Sequence, residues 1–290
     1  MTQQQATVLY DAPGPKARLR NNLYTLITVV ALLGIAAYVV FKLNEKGQFA
    51  GNIWAPFFEW ETWNQYLIPG VQGTLTAAVL ASIFALVFGA VFGLARLSDH
   101  KWIRIPAGWV VEVFRAIPLL LLIFFIWFLA PELMGGGDYG LLALVIGLTL
   151  YNGSVLAEVV RAGVLAVPRG QSEAAYAIGM RKSGVMRLIL LPQALTAMMP
   201  AVVSQLVVLL KDTALGYIIT YIDLLNMGFK ILPSVHFGTK LVAAIFIGVF
   251  YIGLNMLLSW FATWLERRSR RSRKTAAKPV ALTTDMGNMA

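Results

Sequence analysis

GQSEAAYAIGMRKSGVMRLILLPQA, residues 170–194, lies between two long apolar runs and is too polar to enter lipid. Ser172 is placed to cap a helix, and Glu173 follows at its first position, where the positive end of the helix dipole favours a carboxylate. Ala174, Ala175, Tyr176, Ala177 and Ile178 continue it with residues mostly suited to a helix, and the small alanines leave room for a partner's surface. Gly179 is the residue able to adopt the left-handed conformation that stops a helix. From Met180 and Arg181 a second piece resumes, with Val185, Leu188 and Ile189 apolar and Arg181, Lys182 and Arg187 charged, a pattern suited to the membrane's inner face. Pro192 punctuates the re-entry into an apolar run. Pattern alone reads equally as an interfacial helix joining two spans and as a handle gripped by another protein.

Outward from this segment, composition makes the bilayer the solvent. Of 290 residues 58% are hydrophobic and 13% charged, far too apolar a mixture for a soluble domain of this length. Charge-free or nearly charge-free runs mark six helices at residues 23–41, 71–95, 105–130, 140–160, 194–210 and 241–265, each meeting or approaching the roughly 20 residues a crossing needs. The expected fold class is therefore an all-α integral membrane protein. Residues 1–22, with Asp11-Ala-Pro-Gly-Pro15 among them, read as a disordered tail, and the first helix as a retained span rather than a cleaved signal. Lysine and arginine collect before the first helix, in the second-to-third and fourth-to-fifth connectors, and in residues 267–290 after the sixth. The positive-inside rule then puts both termini and the handle in the cytoplasm.

The net charge of +10 comes from these blocks, which suit anionic lipid and cytoplasmic retention. No zinc spacing or recognition-helix pattern points to nucleic acid. The absence of cysteine excludes disulfides, thiolate metal sites and cysteine nucleophiles. Two histidines, His100 and His236, sit in separate connectors, so a metal or histidine-base site is not expected. With no GxxxxGK[ST] loop, the chain does not bind and hydrolyse ATP in that manner.

On the opposite side, residues 42–69 carry Trp54, Trp60 and Trp63 among acidic and basic residues, the mark of a stretch along the outer interface or of contact with an external partner. Ala85, Gly89 and Gly93 form a small-residue face for close helix approach in the second span. Charges at the membrane demand partners or a wet path. Glu112 with Arg115 and Glu158 with Arg161 are three apart and can pair. Arg115 lies about three turns into the third span, before Pro118, and could receive a carboxylate bidentately. Lys211, Asp212 and Thr213 stand near the far end of the fifth span, where the first two could meet the carboxylate and amino groups of an amino acid.

Glu173-Ala174-Ala175, then Gly179, then Leu191-Pro192-Gln193-Ala194 resemble the EAA loop of binding-protein-dependent ABC importer permeases, in the form found in polar amino acid uptake. Gly73-Thr74-Leu75, Phe114-Arg115-Ala116-Ile117-Pro118, Ala157-Glu158-Val159-Val160-Arg161, Val167-Pro168-Arg169-Gly170-Gln171 and Lys211-Asp212-Thr213 resemble the same family in order. Ala116-Ile117 stands where a glycine and threonine are usual, and Ala214 where a serine is. The longer amino terminus and basic tail are similar to those of actinobacterial glutamate permeases.

This resemblance implies a type I ABC importer transmembrane domain over residues 70–266, a five-helix core to which residues 23–41 add an extra N-terminal helix. It implies a coupling loop at residues 166–193 that docks on a separate ABC ATPase dimer through Glu173, Ala174, Ala175, Ile178, Gly179, Met180 and Arg181. It further implies a second permease subunit, identical or homologous, and an extracytoplasmic amino-acid-binding protein. No cofactor is expected on this chain, ATP being used by the partner. The expected function is import of a polar amino acid, with glutamate favoured, by a multi-pass plasma-membrane protein of a bacterium. Arg115, Glu158, Arg161, Lys211, Asp212 and Thr213 are the candidate substrate path. An ATP-independent channel or solute carrier would use the same spans and charges without the handle, and a structural membrane anchor would support no uptake at all.

Overall fold

A computed structural model describes residues 14–231, 233 and 240–274, and all regular structure among them is helical. The tail read at residues 1–13, His236 and residues 275–290 lie outside them. The described elements are α1 (Pro15–Glu45), α2 (Trp60–Ala95), α3 (Lys101–Ala116), α4 (Leu119–Met134), α5 (Gly140–Leu165), α6 (Arg169–Ala177), α7 (Lys182–Tyr217) and α8 (Lys240–Lys274). Five of these are long and apolar enough to cross a membrane, and α3 with α4 make a sixth span if the bent pair counts as one.

The chain divides into residues 1–56 and 57–290. In the first unit, α1 begins at Pro15, whose fixed φ suits a helix start, so residues 15–22 are helix rather than tail. None of its described residues is buried. Past it, Trp54 donates from its indole nitrogen to the Gln48 carbonyl at 2.9 Å, turning the chain back on itself.

The second unit is built around α5, which packs against α2, α3, α4 and α7. Its core joins Ala77, Ala81 and Ala85 of α2, Ile123 of α4, Leu144, Leu148 and Leu156 of α5, and Leu209 of α7. Small residues set the spacing of α2 and α5. A Cβ on Gly89 would stand 2.6 Å from the Leu156 Cβ, and one on Gly93 would stand 2.8 Å from the Ala157 carbonyl oxygen.

Prolines decide where the expected spans hold and where they change. The third span is not one helix: α3 and α4 meet at 98°. Ile117 and Pro118 are both extended, with ψ of 127° and 130°, because a residue before proline is pushed out of the helical region. Pro69 and Pro192, which the sequence suggests as boundaries, lie inside continuous helices. Each follows a π turn, Trp63–Leu67 and Val185–Leu190. A wider turn has already displaced the carbonyl that the proline ring would strike and needs no donor from it. Hence α2 takes in residues 60–69 of the expected outer segment, and α7 starts 12 residues before residue 194.

This extension also relocates Trp63. Its ring packs edge-on against Phe246 and Phe250 of α8, and its indole nitrogen donates to the Phe57 carbonyl at 2.8 Å. It is a packing residue here, whereas Trp60 is exposed. Beyond α7 the chain folds back on α2. Tyr221 donates its hydroxyl to the Gly73 carbonyl at 3.0 Å, and the Leu224 amide donates to Thr74 Oγ1 at 3.1 Å. A Cβ on Gly73 would fall 2.0 Å from the Ile222 carbonyl oxygen, so only glycine allows this approach. Gly73→Ala is therefore expected to lower stability by about 1–3 kcal/mol. The readout is the melting temperature of detergent-solubilised protein, with Gly34→Ala, whose Cβ meets nothing within 4 Å, as the unaffected control.

Candidate functional site: an exposed handle and a neighbouring ion-pair network

Helix α6 starts earlier than its sequence suggests. Pro168 occupies the N-cap, Arg169 is the first helical residue, and Ser172 donates to the Arg169 carbonyl at 2.8 Å instead of capping. Glu173 therefore stands on the exposed body of the helix and not at its first position, because Pro168 has fixed the start one turn before it. The stop falls where Gly179 was expected to place it. Gly179 has φ of +80°, its amide donates to the Tyr176 carbonyl at 2.9 Å, and the Met180 amide donates to the Ala175 carbonyl at 3.2 Å. These paired bonds satisfy the last carbonyls of α6 in a Schellman arrangement.

The handle presents one side and is held by the other. Ala175 is buried, as is Val185 just beyond the turn, while Glu173, Ala174, Gly179 and Arg181 are exposed. Ile178 is 79% exposed and Tyr176 48%, so both are open to another surface. Behind them Lys182 ties the handle to the connector between α2 and α3. Its ammonium pairs with the Asp99 carboxylate and donates to the Leu97 carbonyl at 3.2 Å, at the frayed end of α2.

That ammonium holds the Asp99 carboxyl below its ordinary value of 3.8. With the folded pKa depressed, the tether is complete above the unfolded value and weakens as pH falls through the folded one. Acidification below about pH 4 and Asp99→Asn are both expected to increase limited proteolysis at residues 179–184, with unchanged cleavage as the contrary result.

Next to Leu97, which Lys182 holds, Arg96 belongs to an ion-pair array. Arg96 reaches Glu158 of α5 at 2.7 Å and Glu112 of α3 at 3.2 Å; Arg161 reaches Glu158 at 2.7 Å, and Arg115 approaches Glu112 at 3.8 Å. Both expected i,i+3 pairs exist, and Arg96 joins them into one network across three helices. Sequence spacing gave no means of seeing that link. Arg115 is not three turns deep in a straight span. The bend at Ile117-Pro118 leaves it in the last turn of α3, half-exposed beside the network.

The remaining path residues are elsewhere. Lys211 is exposed, Asp212 half-buried and Thr213 fully buried, with the Thr213 hydroxyl donating to the Leu210 carbonyl at 2.7 Å. Nearby, Gln205 of α7 donates to Asn152 Oδ1 of α5 at 2.6 Å. The buried Asn152 Nδ2 lacks a hydrogen bond of good geometry and lies within electrostatic reach of the Asp212 carboxylate. Thr149 Oγ1, one turn away on α5, is buried and unpartnered among the described residues. Thus the six candidate residues divide between an ion-pair network and a polar patch farther along α5 and α7. The patch includes Asn152, Gln205 and Thr149, which sequence reasoning missed because uncharged amides and hydroxyls barely alter an apolar run.

Removing Arg96 would leave Glu158 to Arg161 alone and Glu112 to the longer contact with Arg115. Arg96→Met is expected to cost about 1–3 kcal/mol, read as a lowered melting temperature. Arg96→Met/Glu158→Leu should recover part of that loss, whereas simple additivity would show that the pair carries no coupling.

Comparison with known proteins gives a consistent context. The profile of the family described as binding-protein-dependent transport system inner membrane component matches residues 85–271. The glutamate transport system permease protein GluD of Corynebacterium glutamicum is 41% identical over 250 residues, covering 84% of this chain and 90% of that protein. The glutamate/aspartate import permease protein GltK of Escherichia coli is 30% identical, covering 70% and 93%. The crystal structure of an amino acid ABC transporter with histidines superposes with a TM-score of 0.63 at 30% identity over 70% of this chain and 93% of that one. An inward-facing MetNI methionine ABC transporter shares the fold at 22% identity, with a TM-score of 0.59.

Proposed function

The chain belongs to the binding-protein-dependent transport system inner membrane components, and we propose that within this family it carries glutamate. It is a multi-pass permease subunit of a bacterial ABC importer, and the catalyst of ATP hydrolysis is a separate subunit. The kinship with a glutamate permease along 90% of that protein's length is the observation that supports the substrate. A binding-protein-dependent importer also requires an ATPase and an extracytoplasmic binding protein as partners.

The rest of the reading follows from the handle. Residues 173–181 present Glu173, Ala174, Ile178 and Arg181 to an ATPase dimer, one copy of the handle from each of two permease subunits, identical or homologous. ATP acts in that dimer and no cofactor sits on this chain. Both termini share the handle's side. Closure of the ATPase pushes on α6, and because Gly179 locks the turn between α6 and α7, the push reaches α7 as a lever. Lys182 passes it to the end of α2. Substrate moves along the polar patch of Lys211, Asp212 and Thr213 with Asn152 and Gln205, and leaves past Arg115, Glu158 and Arg161.

Two outcomes are expected in proteoliposomes containing this chain with its ATPase and binding protein. Gly179→Asp forces a side chain into the left-handed turn and puts a carboxylate on the docking face. It should leave the protein in the membrane but cut uptake at least about tenfold per ATP hydrolysed, a loss on the order of 1.4 kcal/mol of coupling. Labelled glutamate should be taken up in preference to glutamine, arginine and histidine. Uptake that stays coupled in Gly179→Asp would refute the handle's role, and equal uptake of all four amino acids would refute the substrate.

A further inference from the structure

Helix α3 has three faces. Ala107 and Val111 are buried against the bundle. Lys101, Arg104, Glu112 and Arg115 make a charged face. Trp102, Ile105, Trp109 and Val113, at spacings of three and four, make a third that is apolar yet 74%, 51%, 69% and 45% exposed. A helix so divided, placed between the ends of two spans, lies along a membrane surface rather than through it. Its 98° angle to α4 gives it the freedom to do so.

Beside the charged face opens a cleft of about 460 Å³, lined by Arg96, Arg104, Gly108, Trp109, Glu112 and Arg161 among others. Three guanidinium groups face one carboxylate there. Arg96 is committed to Glu158 and Glu112, and Arg161 to Glu158, so the network has no carboxylate left over for the cleft. Among the described residues Arg104 makes no ion pair within 4 Å. Gly108 leaves the floor open, since a Cβ there would meet nothing within 4 Å.

We propose that this cleft binds the headgroup phosphate of an anionic phospholipid, with Arg104 on the phosphate and an acyl chain along Trp109 and Ile105. Charge selects the ligand: a net positive cleft attracts a phosphodiester whose own charge is not cancelled by choline. The adjoining apolar strip selects a lipid over a soluble phosphate, because only a lipid covers both surfaces at once. Arg96 joins the same cleft to α2 and α5, so an occupied site would hold α3 against the ion-pair network. The proposal needs the membrane setting but neither the substrate nor the handle.

The test uses the full chain assembled with its ATPase in nanodiscs of mixed phosphatidylcholine and phosphatidylglycerol, with native mass spectrometry of the lipid retained on release. Wild type should keep phosphatidylglycerol in preference to phosphatidylcholine. Arg104→Gln should reduce that preference about fivefold, the contribution of one basic residue near a charged membrane surface. Gly108→Glu, which fills the cleft with the wrong charge, should abolish it, and Gly108→Ala should not change it. Brominated phosphatidylglycerol should quench more fluorescence in wild type than in Trp109→Phe. Equal retention by wild type, Arg104→Gln and Gly108→Glu at unchanged melting temperature would overturn the proposal. Displacement of the lipid by free glycerol phosphate would overturn it too, by assigning the cleft to a soluble phosphate.

Discussion

The close approach of α2 and α5 is the constraint on which the rest of the second unit depends. Gly89 and Gly93 lie against Leu156, Ala157 and Val160 at distances that no side chain could share. In lipid there is no hydrophobic drive between helices, so such contact must come from dispersion over matched surfaces, which small residues make possible. Because the helices touch, Arg96 at the end of α2 arrives within 2.7 Å of Glu158 on α5. Because Arg96 is there, α3 is anchored through Glu112, and the connector that Lys182 grips is fixed. The handle therefore rests on a seam of missing side chains.

Charge neutralisation makes this arrangement tolerable at a membrane. Glu158 accepts from two arginines, and Arg96 divides its donors between two carboxylates, so few charges in the network face lipid alone. The same economy leaves α3 with an exposed apolar strip and a positive cleft. The bend at Ile117-Pro118 thus leaves an amphipathic helix set at 98° to α4, with its apolar strip exposed.

Much of the fold is legible in the sequence because apolar runs and basic connectors report directly on solvent. The apolar runs at 23–41, 140–160 and 241–265 fall inside α1, α5 and α8, and the small-residue face at Ala85, Gly89 and Gly93 is the seam itself. Prolines are where the reading bends. Pro118 breaks its helix, whereas Pro69 and Pro192 are absorbed by π turns, and nothing in the local composition distinguishes these cases. That difference moved Arg115 from mid-span to the end of α3 and reassigned Trp63 from the interface to the core. In the handle, Gly179 was readable because a positive φ has few other solutions. Ser172 was misleading, since Pro168 had already started the helix and left the hydroxyl an interior carbonyl to bond. Asn152 and Gln205 escaped notice because their meeting depends on which faces of α5 and α7 touch, a fact of packing and not of spacing.

Work entering at the handle and leaving as solute movement separates this account from a passive pore built of the same spans. The most direct measurement is glutamate concentration inside proteoliposomes that hold the chain with its ATPase, with binding protein and glutamate outside and the ATPase faces supplied with ATP. The account requires the internal concentration to rise above the external one, and only when ATP is hydrolysed. Equilibration to the external concentration without ATP would contradict it.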